Sequence, residues 1–129
     1  MINKLNDNEM RLLLKKINVM VMIGVSASPL RASFFVARYF VLRGISVIPV
    51  NPNYEGQYLW GEKVLGKISD IQPDKRVDLI DIFRPSKEVP SIVDDTIKYL
   101  KPLGCKTVWM QIGIKNIKAA IRAKKNGLN

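Results

Sequence analysis

The residues of this chain that could bind an anion are concentrated in a small-residue turn near its beginning. The segment 24–33 reads GVSASPLRAS and lies between an apolar run, Val19–Ile23, and a stretch with helical spacing that begins at Phe34. A strand that leads through such a turn into a helix N-terminus presents backbone N–H groups to an anion. We therefore expect a phosphate-binding loop at 24–33, in which Gly24 forms the turn and Ser26 and Ser28 contribute small side chains with hydroxyl groups.

The turn differs from the glycine-rich fingerprint of NAD-binding proteins. Only Gly24 remains of the three glycines in G-x-G-x-x-G. In NAD sites an acidic residue at the end of the second strand receives the ribose hydroxyls, whereas here the second apolar run, Ile45–Val50, is followed by Asn51-Pro52. A neutral asparagine removes the carboxylate that would repel a phosphorylated ribose. The pattern therefore favours NADP or coenzyme A over NAD.

Further candidate ligand groups follow the third apolar run, residues 77–82. Arg31 and Arg84 both come after the ends of predicted strands, so they either meet phosphate or are solvated surface charges. Lys87 is better explained as a surface charge. Phe83 stands at the same strand exit and either lines a groove for adenine or pantetheine or packs in the core.

The residue inventory excludes most nucleophilic catalysis. The chain contains no histidine, which rules out Ser-His and Cys-His pairs, a phosphohistidine intermediate and histidine-metal ligation. The one cysteine, Cys105, precedes a predicted strand, and we expect a small core residue rather than a nucleophile. Asp78 and Asp81 fall on opposite faces of an apolar strand. We expect each to lie at a strand end or to be hydrogen-bonded, with Asp81 anchoring a loop.

The elements that position these residues alternate between strands and helices. We expect a leading amphipathic helix within residues 1–18 that packs on the domain, and then strands at 19–23, 45–50, 77–82 and 106–110 and helices at 34–43, 87–100 and 116–125. Ser33 and Gly44 are predicted to cap the second helix. This order predicts an α/β fold: a single three-layer, Rossmann-like domain with a doubly wound, open parallel sheet, in which Met20, Met22 and Trp109 belong to the core.

Length and charge agree with one soluble domain that has an anionic partner. The chain has 129 residues, with 21 basic and 11 acidic side chains and a net charge of +10. The basic residues are spread along the chain, which favours a small anionic ligand over nucleic acid. We find no secretory signal and no run long enough to cross a bilayer, and one cysteine fits a reducing cytoplasm.

Several motifs in the same order carry a resemblance to a known family. The family's G-A-S-x-x-P-x-R-P-S is matched at 24–33, V-I-P-V-N-P at 47–52, G-x-x-x-x-G-E at 56–62, V-D-x-x-D-x-F-R-x-S-x-x-V-P-x-I-V-D at 77–94 and K-T-V-W-M-Q-x-G at 106–113. In these motifs the chain resembles the small stand-alone CoA-binding domains, relatives of the CoA-binding domain in the succinyl-CoA synthetase α subunit.

The resemblance implies a coenzyme A site. Gly24, Ser26, Arg31 and Ser33 would cradle the phosphates, and the nucleotide would be flanked by Asn51, Pro52, Ile82, Phe83 and Arg84, with Val89, Gln111 and Gly113 completing the groove. The chain departs from the family at Ala27 and Ala32, where proline is common. It also ends at Asn129, where relatives continue into a further strand, so we expect the strand at 106–110 to be partly uncovered.

The expected function is non-catalytic binding of coenzyme A or an acyl-CoA. The missing histidine disfavours the chemistry of succinyl-CoA synthetase. One alternative is an enzyme that uses NADP or an acyl-CoA and takes its reactive groups from a partner. Another is a basic module that docks a protein or a nucleic acid through the helix at 116–125. A homo-oligomer or a protein partner is compatible with each, and no membrane association is expected.

Overall fold

The computed structural model describes residues 7–25, 32–110 and 116–128. The helices in these segments are α1 (Asp7–Lys16), α2 (Ala32–Leu42), α3 (Val89–Asp95), which continues as a π-helical turn over Thr96–Leu100, and α4 (Ile117–Lys125). The strands are β1 (Val19–Ile23), β2 (Ser46–Val50), β3 (Tyr58–Leu59), β4 (Glu62–Lys63), β5 (Leu79–Ile82) and β6 (Thr107–Met110). No helix in the described segments is both long and apolar enough to cross a membrane.

Four strands form one parallel sheet in the order β2-β1-β5-β6. Met20 of β1 lies opposite Val47 of β2 on one side and Leu79 of β5 on the other. The order runs one way from β1 to β2 and the other way from β5 to β6, so the direction of winding reverses between β1 and β5. The predicted doubly wound, Rossmann-like sheet is confirmed.

The sheet is covered on both faces, because each inner strand has apolar residues at consecutive positions. On one face Met20 and Met22 pack with Phe40 of α2, and on the other Val21 and Ile80 pack with residues of α3 and α4. Both methionines are fully buried, as predicted. Trp109 packs edge-on against Phe40 with 6.4 Å between ring centroids and remains partly exposed. One cluster fills the space between the sheet and α2, and the other fills the space between the sheet and the α3 and α4 helices. The domain therefore has the three predicted layers.

The helix ends largely follow the predicted signals. Gly44 ends α2 with a φ of +86°, and its N–H donates to the Val41 carbonyl at 3.0 Å. Asn116 caps α4, since its Oδ1 accepts from the Ala119 N–H at 3.0 Å. The prediction of Ser33 as the cap of α2 was wrong. The helix begins at Ala32, so Ser33 lies inside the first turn, where it is buried.

The segment between β2 and β5 contains a small hairpin that the sequence pattern did not predict. Strands β3 and β4 pair antiparallel through Tyr58 and Lys63. Just beyond the hairpin, the Leu65 N–H donates to the Pro49 carbonyl at 2.9 Å, and the Asn51 N–H donates to the Leu65 carbonyl at 2.9 Å. These bonds cover the end of β2, whose outer side would otherwise be a free sheet edge.

Asp78 joins β5 to β1 at the amino end of the sheet. Its Oδ2 accepts from the N–H groups of Asn18 at 2.9 Å and Val19 at 3.0 Å, and its Oδ1 accepts from Arg76 Nε at 3.0 Å. Partial burial acts to raise the pKa of this carboxyl, but the two backbone hydrogen bonds and the guanidinium outweigh it, and the pKa lies below the ordinary value of 3.8. The prediction that Asp78 is hydrogen-bonded at a strand end is confirmed. Asp81 is fully buried within β5, opposite Met22 and Trp109.

We expect Asp78→Asn to lower the free energy of unfolding at pH 7 by about 1 kcal/mol, since neutral oxygen is a weaker acceptor than carboxylate. Because the folded-state pKa lies below 3.8, the carboxylate stabilises the fold at neutral pH, and this contribution is lost as pH falls through that pKa. Urea denaturation at pH 7 and at pH 2.5 measures the difference. Asp74→Asn removes an equal charge from an exposed site and is the control. A gap between Asp78→Asn and wild type that stays constant with pH would contradict the assignment.

Candidate functional site

The ends of three strands meet at the carboxyl edge of the sheet. The Gly24 N–H donates to the Val50 carbonyl at 2.8 Å, and the Phe83 N–H donates to the Ile23 carbonyl at 2.9 Å. Gly24 therefore lies between the exits of β2 and β5. This is the point at which the winding of the sheet reverses, and doubly wound sheets bind ligands in the crevice at that point.

Gly24 is required by the packing of the strand ends. Its φ is +87°, and a Cβ at this position would lie 2.5 Å from the carbonyl oxygen of Phe83 and 2.8 Å from Cδ of Arg84. Any larger residue would separate β1 from β5 or force the backbone from a left-handed conformation that favours glycine.

Asn51 points into the protein. Its side chain is 4% exposed, Nδ2 donates to the Val25 carbonyl at 2.9 Å, and Oδ1 accepts from the Asn53 N–H at 3.0 Å. The second bond caps a 3₁₀ turn over Pro52–Tyr54, in which Pro52 is exposed. The sequence pattern predicts Asn51 as a neutral group that faces a ribose. In the structure it is a positioning residue that fixes the chain where it leaves β1.

Arg84 is held at the strand exit by the carboxylate of Glu88, which was not among the predicted site residues. Its Nε and Nη2 donate to Glu88 at distances of 3.0 to 3.3 Å, and the two side chains are 31% and 36% exposed. The Arg84 stem meanwhile lies against Gly24. The spacing of four residues is the signal that could have revealed Glu88. An anion in the crevice would meet a guanidinium that is already oriented.

The remaining candidates differ in burial, and some lie outside the described residues. Ile82 and Val89 are fully buried in the core, whereas Phe83 is partly exposed and packs on the α2 side of the sheet. Lys87 is exposed, in keeping with a surface charge. Five candidates lie outside the described residues: Ser26, Ser28, Arg31, Gln111 and Gly113.

Asn116 is a further residue near the crevice that was not among the predicted site residues. While its Oδ1 caps α4, its Nδ2 donates to the Ser86 carbonyl at 3.2 Å. The side chain therefore fixes the start of α4 against the segment that follows β5. Its position before a helical run was the available signal.

Two reactive groups identified in the sequence, Cys105 and Asp78, lie away from this crevice. Cys105 precedes β6 and is 2% exposed, and its Sγ donates to the Thr107 carbonyl at 3.6 Å. Burial raises the pKa of this thiol to about 11. The prediction of a core cysteine is confirmed. Cys105 and Asp78 both lie at the amino edge of a parallel sheet, opposite Gly24, and the described residues contain no cluster of cysteine, aspartate or glutamate that could hold a metal ion.

Residues 18–129 match the family described as the CoA binding domain. The chain belongs to this family. The curated protein YneT of Bacillus subtilis strain 168, described as uncharacterized, is 26% identical over 119 residues, which are 92% of this chain and 82% of YneT. The resemblance of the sequence motifs to the small CoA-binding domains is thereby confirmed.

Solved structures of similar proteins share the fold over almost the whole chain. A hypothetical protein from Pyrococcus horikoshii OT3 is 31% identical with a TM-score of 0.83, over 96% of this chain and 82% of its own. A Thermus thermophilus protein named cell-free ID.343 is 31% identical with a TM-score of 0.80, over 96% of this chain and 88% of its own. Both structures confirm the Rossmann-like architecture of this CoA-binding domain.

We expect Asn51→Asp to destabilise the CoA-binding domain by about 2 kcal/mol or more at pH 7, because a carboxylate cannot donate to Val25 and would be buried. Protonation of the introduced carboxylate at acidic pH restores a hydrogen-bond donor, so the loss of stability relative to wild type should become smaller as pH falls. Thermal unfolding at pH 7 and pH 4 tests this, with the exposed neighbour change Asn53→Asp as control. Equal effects of the two substitutions would show that Asn51 is not a positioning residue.

We expect Cys105 of the native protein to resist iodoacetamide. With a pKa near 11, about one thiol in a thousand is ionised at pH 8, and only the thiolate reacts. Mass spectrometry should show alkylation at least about a hundredfold slower than in guanidinium-unfolded protein, in which the thiol has an ordinary pKa. Rapid labelling of the folded chain would mean that Cys105 is accessible and ionised.

Proposed function

We propose that this protein binds coenzyme A or an acyl-CoA in the crevice between β1 and β5 and catalyses no reaction by itself. The observation that carries the proposal is the placement of Arg84 against Gly24, at the reversal point of the sheet, in a chain of the CoA-binding domain family. A half-buried arginine supplies planar, charge-assisted donors to phosphate oxygens.

The crevice fits the polyanionic end of coenzyme A. Arg84 and the backbone around Gly24 would face the pyrophosphate, and Ser26, Ser28 and Arg31 join them on the strength of the sequence pattern. The three residues directly after β2, Asn51-Pro52-Asn53, carry no carboxylate to oppose a phosphorylated ribose. This composition favours coenzyme A or NADP over NAD.

The proposal of a binding function without catalysis rests on where the reactive groups lie. The carboxylate of Asp78 is bound by backbone N–H groups and by Arg76, and the thiol of Cys105 is buried with a raised pKa. Both are at the edge opposite the crevice. We therefore expect an enzymatic role to take its reactive groups from the acyl-CoA or from a partner protein. A cytoplasmic location remains a prediction from cysteine usage.

Protein docking through α4 is a second candidate function. Ile117 and Ile121 are 65% and 42% exposed on a helix that also carries Lys118, Lys124 and Lys125. Apolar residues exposed beside lysines are more typical of a protein contact than of nucleic-acid binding. Ile121→Ser should abolish such a contact and leave coenzyme A affinity unchanged.

Isothermal titration with CoA, acetyl-CoA, NADP and NAD tests the leading proposal. We expect both CoA species to bind and NAD to give no heat at the same concentration. Arg84→Gln should weaken CoA binding at least about tenfold, as expected for the loss of a charge-assisted donor. Arg76→Gln is the matched control, because it removes an arginine from another carboxylate pair at the opposite edge of the sheet.

Two results would reject the proposed site or function. The absence of heat with either CoA species at millimolar concentration would reject the function. Equal losses for Arg84→Gln and Arg76→Gln would show that overall charge, rather than the crevice, governs affinity. Circular dichroism of each variant confirms that both are folded before titration.

A further inference from the structure

The tip of the β3–β4 hairpin holds a strained tryptophan. Trp60 has a φ of +51° and is the one non-glycine residue with positive φ among the residues that the structure describes. Gly61 follows with a φ of +81°, so both tip residues are left-handed. Two-residue hairpin connections of this kind favour Asn-Gly, Asp-Gly or Gly-Gly, and a bulky aromatic residue in the first position is strained.

An aromatic contact holds Trp60 in this conformation. The ring centroids of Trp60 and Phe34 are 5.2 Å apart with the planes inclined at 44°. Phe34 lies in the first turn of α2, and Phe35 packs edge-on against its ring at 6.1 Å. The hairpin, which comes after β2, therefore reaches the start of the helix that comes after β1. Trp60 is partly exposed in this position.

This position lies beside the nucleoside end of the proposed ligand. In doubly wound sheets the pyrophosphate lies at the turn after the first strand, and the nucleoside extends toward the end of the second. The Trp60 hairpin is anchored at the end of β2 by the backbone pairing of Leu65 with Pro49 and Asn51. Its tip contacts the helix that starts after the phosphate turn. Trp60 thus lies between the expected positions of the pyrophosphate and of the nucleoside.

Neither the turn nor the packing requires tryptophan at this position. Asparagine would adopt the left-handed conformation of the turn more readily than tryptophan does. Leucine would make an apolar contact with Phe34 just as well as an indole. Residues kept in strained conformations are concentrated at functional sites, where the strain serves ligand binding. A flat indole next to a nucleotide crevice offers a stacking surface that suits a nucleobase.

We propose that the indole of Trp60 is the stacking surface for the adenine ring of bound coenzyme A, and that Phe34 positions the indole from behind. The assignment rests on the proposed function and adds to it a residue that determines affinity for the nucleobase. Trp60 touches the ligand, whereas Phe34 acts through Trp60.

The test uses the two halves of coenzyme A separately. Adenosine 3′,5′-bisphosphate and 4′-phosphopantetheine are titrated, together with CoA, against wild type, Trp60→Asn and Trp60→Phe. For Trp60→Asn we expect affinity for CoA and for the bisphosphate to fall about tenfold, and Trp60→Phe should retain most of it. Binding of 4′-phosphopantetheine should be the same in all three proteins. Tyr58→Asn removes an exposed aromatic residue from the same hairpin and should bind like wild type.

Fluorescence supplies a readout that a purely structural role would not change. The chain has two tryptophans, so Trp109→Phe leaves Trp60 as the only indole emitter. Adenosine 3′,5′-bisphosphate should quench this emission, because the base would stack on the indole. If Trp60→Asn does not fold, the Trp60→Phe titration and this quenching carry the test.

The outcomes separate failure of this assignment from failure of the proposed function. Wild type that binds no CoA overturns both. If wild type binds CoA, the assignment alone is overturned in two cases. In the first, Trp60→Asn binds CoA as well as wild type does. In the second, Tyr58→Asn loses as much affinity as Trp60→Asn. A loss confined to 4′-phosphopantetheine also overturns it, since the indole would then contact the pantetheine arm.

Discussion

The close approach of β1 and β5 at Gly24 is the constraint on which the rest of this structure depends. With no side chain at this position, the Phe83 carbonyl can lie where a Cβ would otherwise be, and the Gly24 N–H can still reach Val50 of β2. One residue thereby fixes the exits of three strands relative to each other. Because the winding reverses here, the same contact that closes the sheet lies at the point where doubly wound sheets bind their ligands.

The two ends of the sheet are specialised by the same topology. At the amino end, the carboxylate of Asp78 accepts hydrogen bonds from backbone N–H groups at the start of β1, where it stabilises the fold at the edge opposite the crevice. At the carboxyl end, the charged pair is Arg84 with Glu88, and both side chains retain access to solvent. In a parallel sheet every strand exit lies at one edge, so stabilising and binding groups can be separated without additional elements.

Sequence pattern predicted the sheet well because its strands are almost uniformly apolar and are separated by helices of ordinary length. It missed the hairpin at β3 and β4 because two-residue strands have no periodicity, and because Trp60-Gly61 is not a usual turn pair. For the site, the pattern located strand exits but not side-chain directions. Asn51 follows β2 as expected, yet it turns inward toward Val25, and only three-dimensional packing determines that choice.

The net charge of +10 would influence the binding of an anion mainly by long-range electrostatic attraction rather than by direct contacts. Among the residues that the structure describes, three arginines are already paired with carboxylates, namely Arg76 with Asp78, Arg84 with Glu88 and Arg122 with Asp94. The excess positive charge therefore comes largely from the other basic side chains along the chain, whose field is screened over about 8 Å at physiological ionic strength. Such a field raises the local concentration of any polyanion without selecting one. Selection must come from fixed groups with short range, and in the proposed site these are Gly24, Arg84 and the Trp60 hairpin.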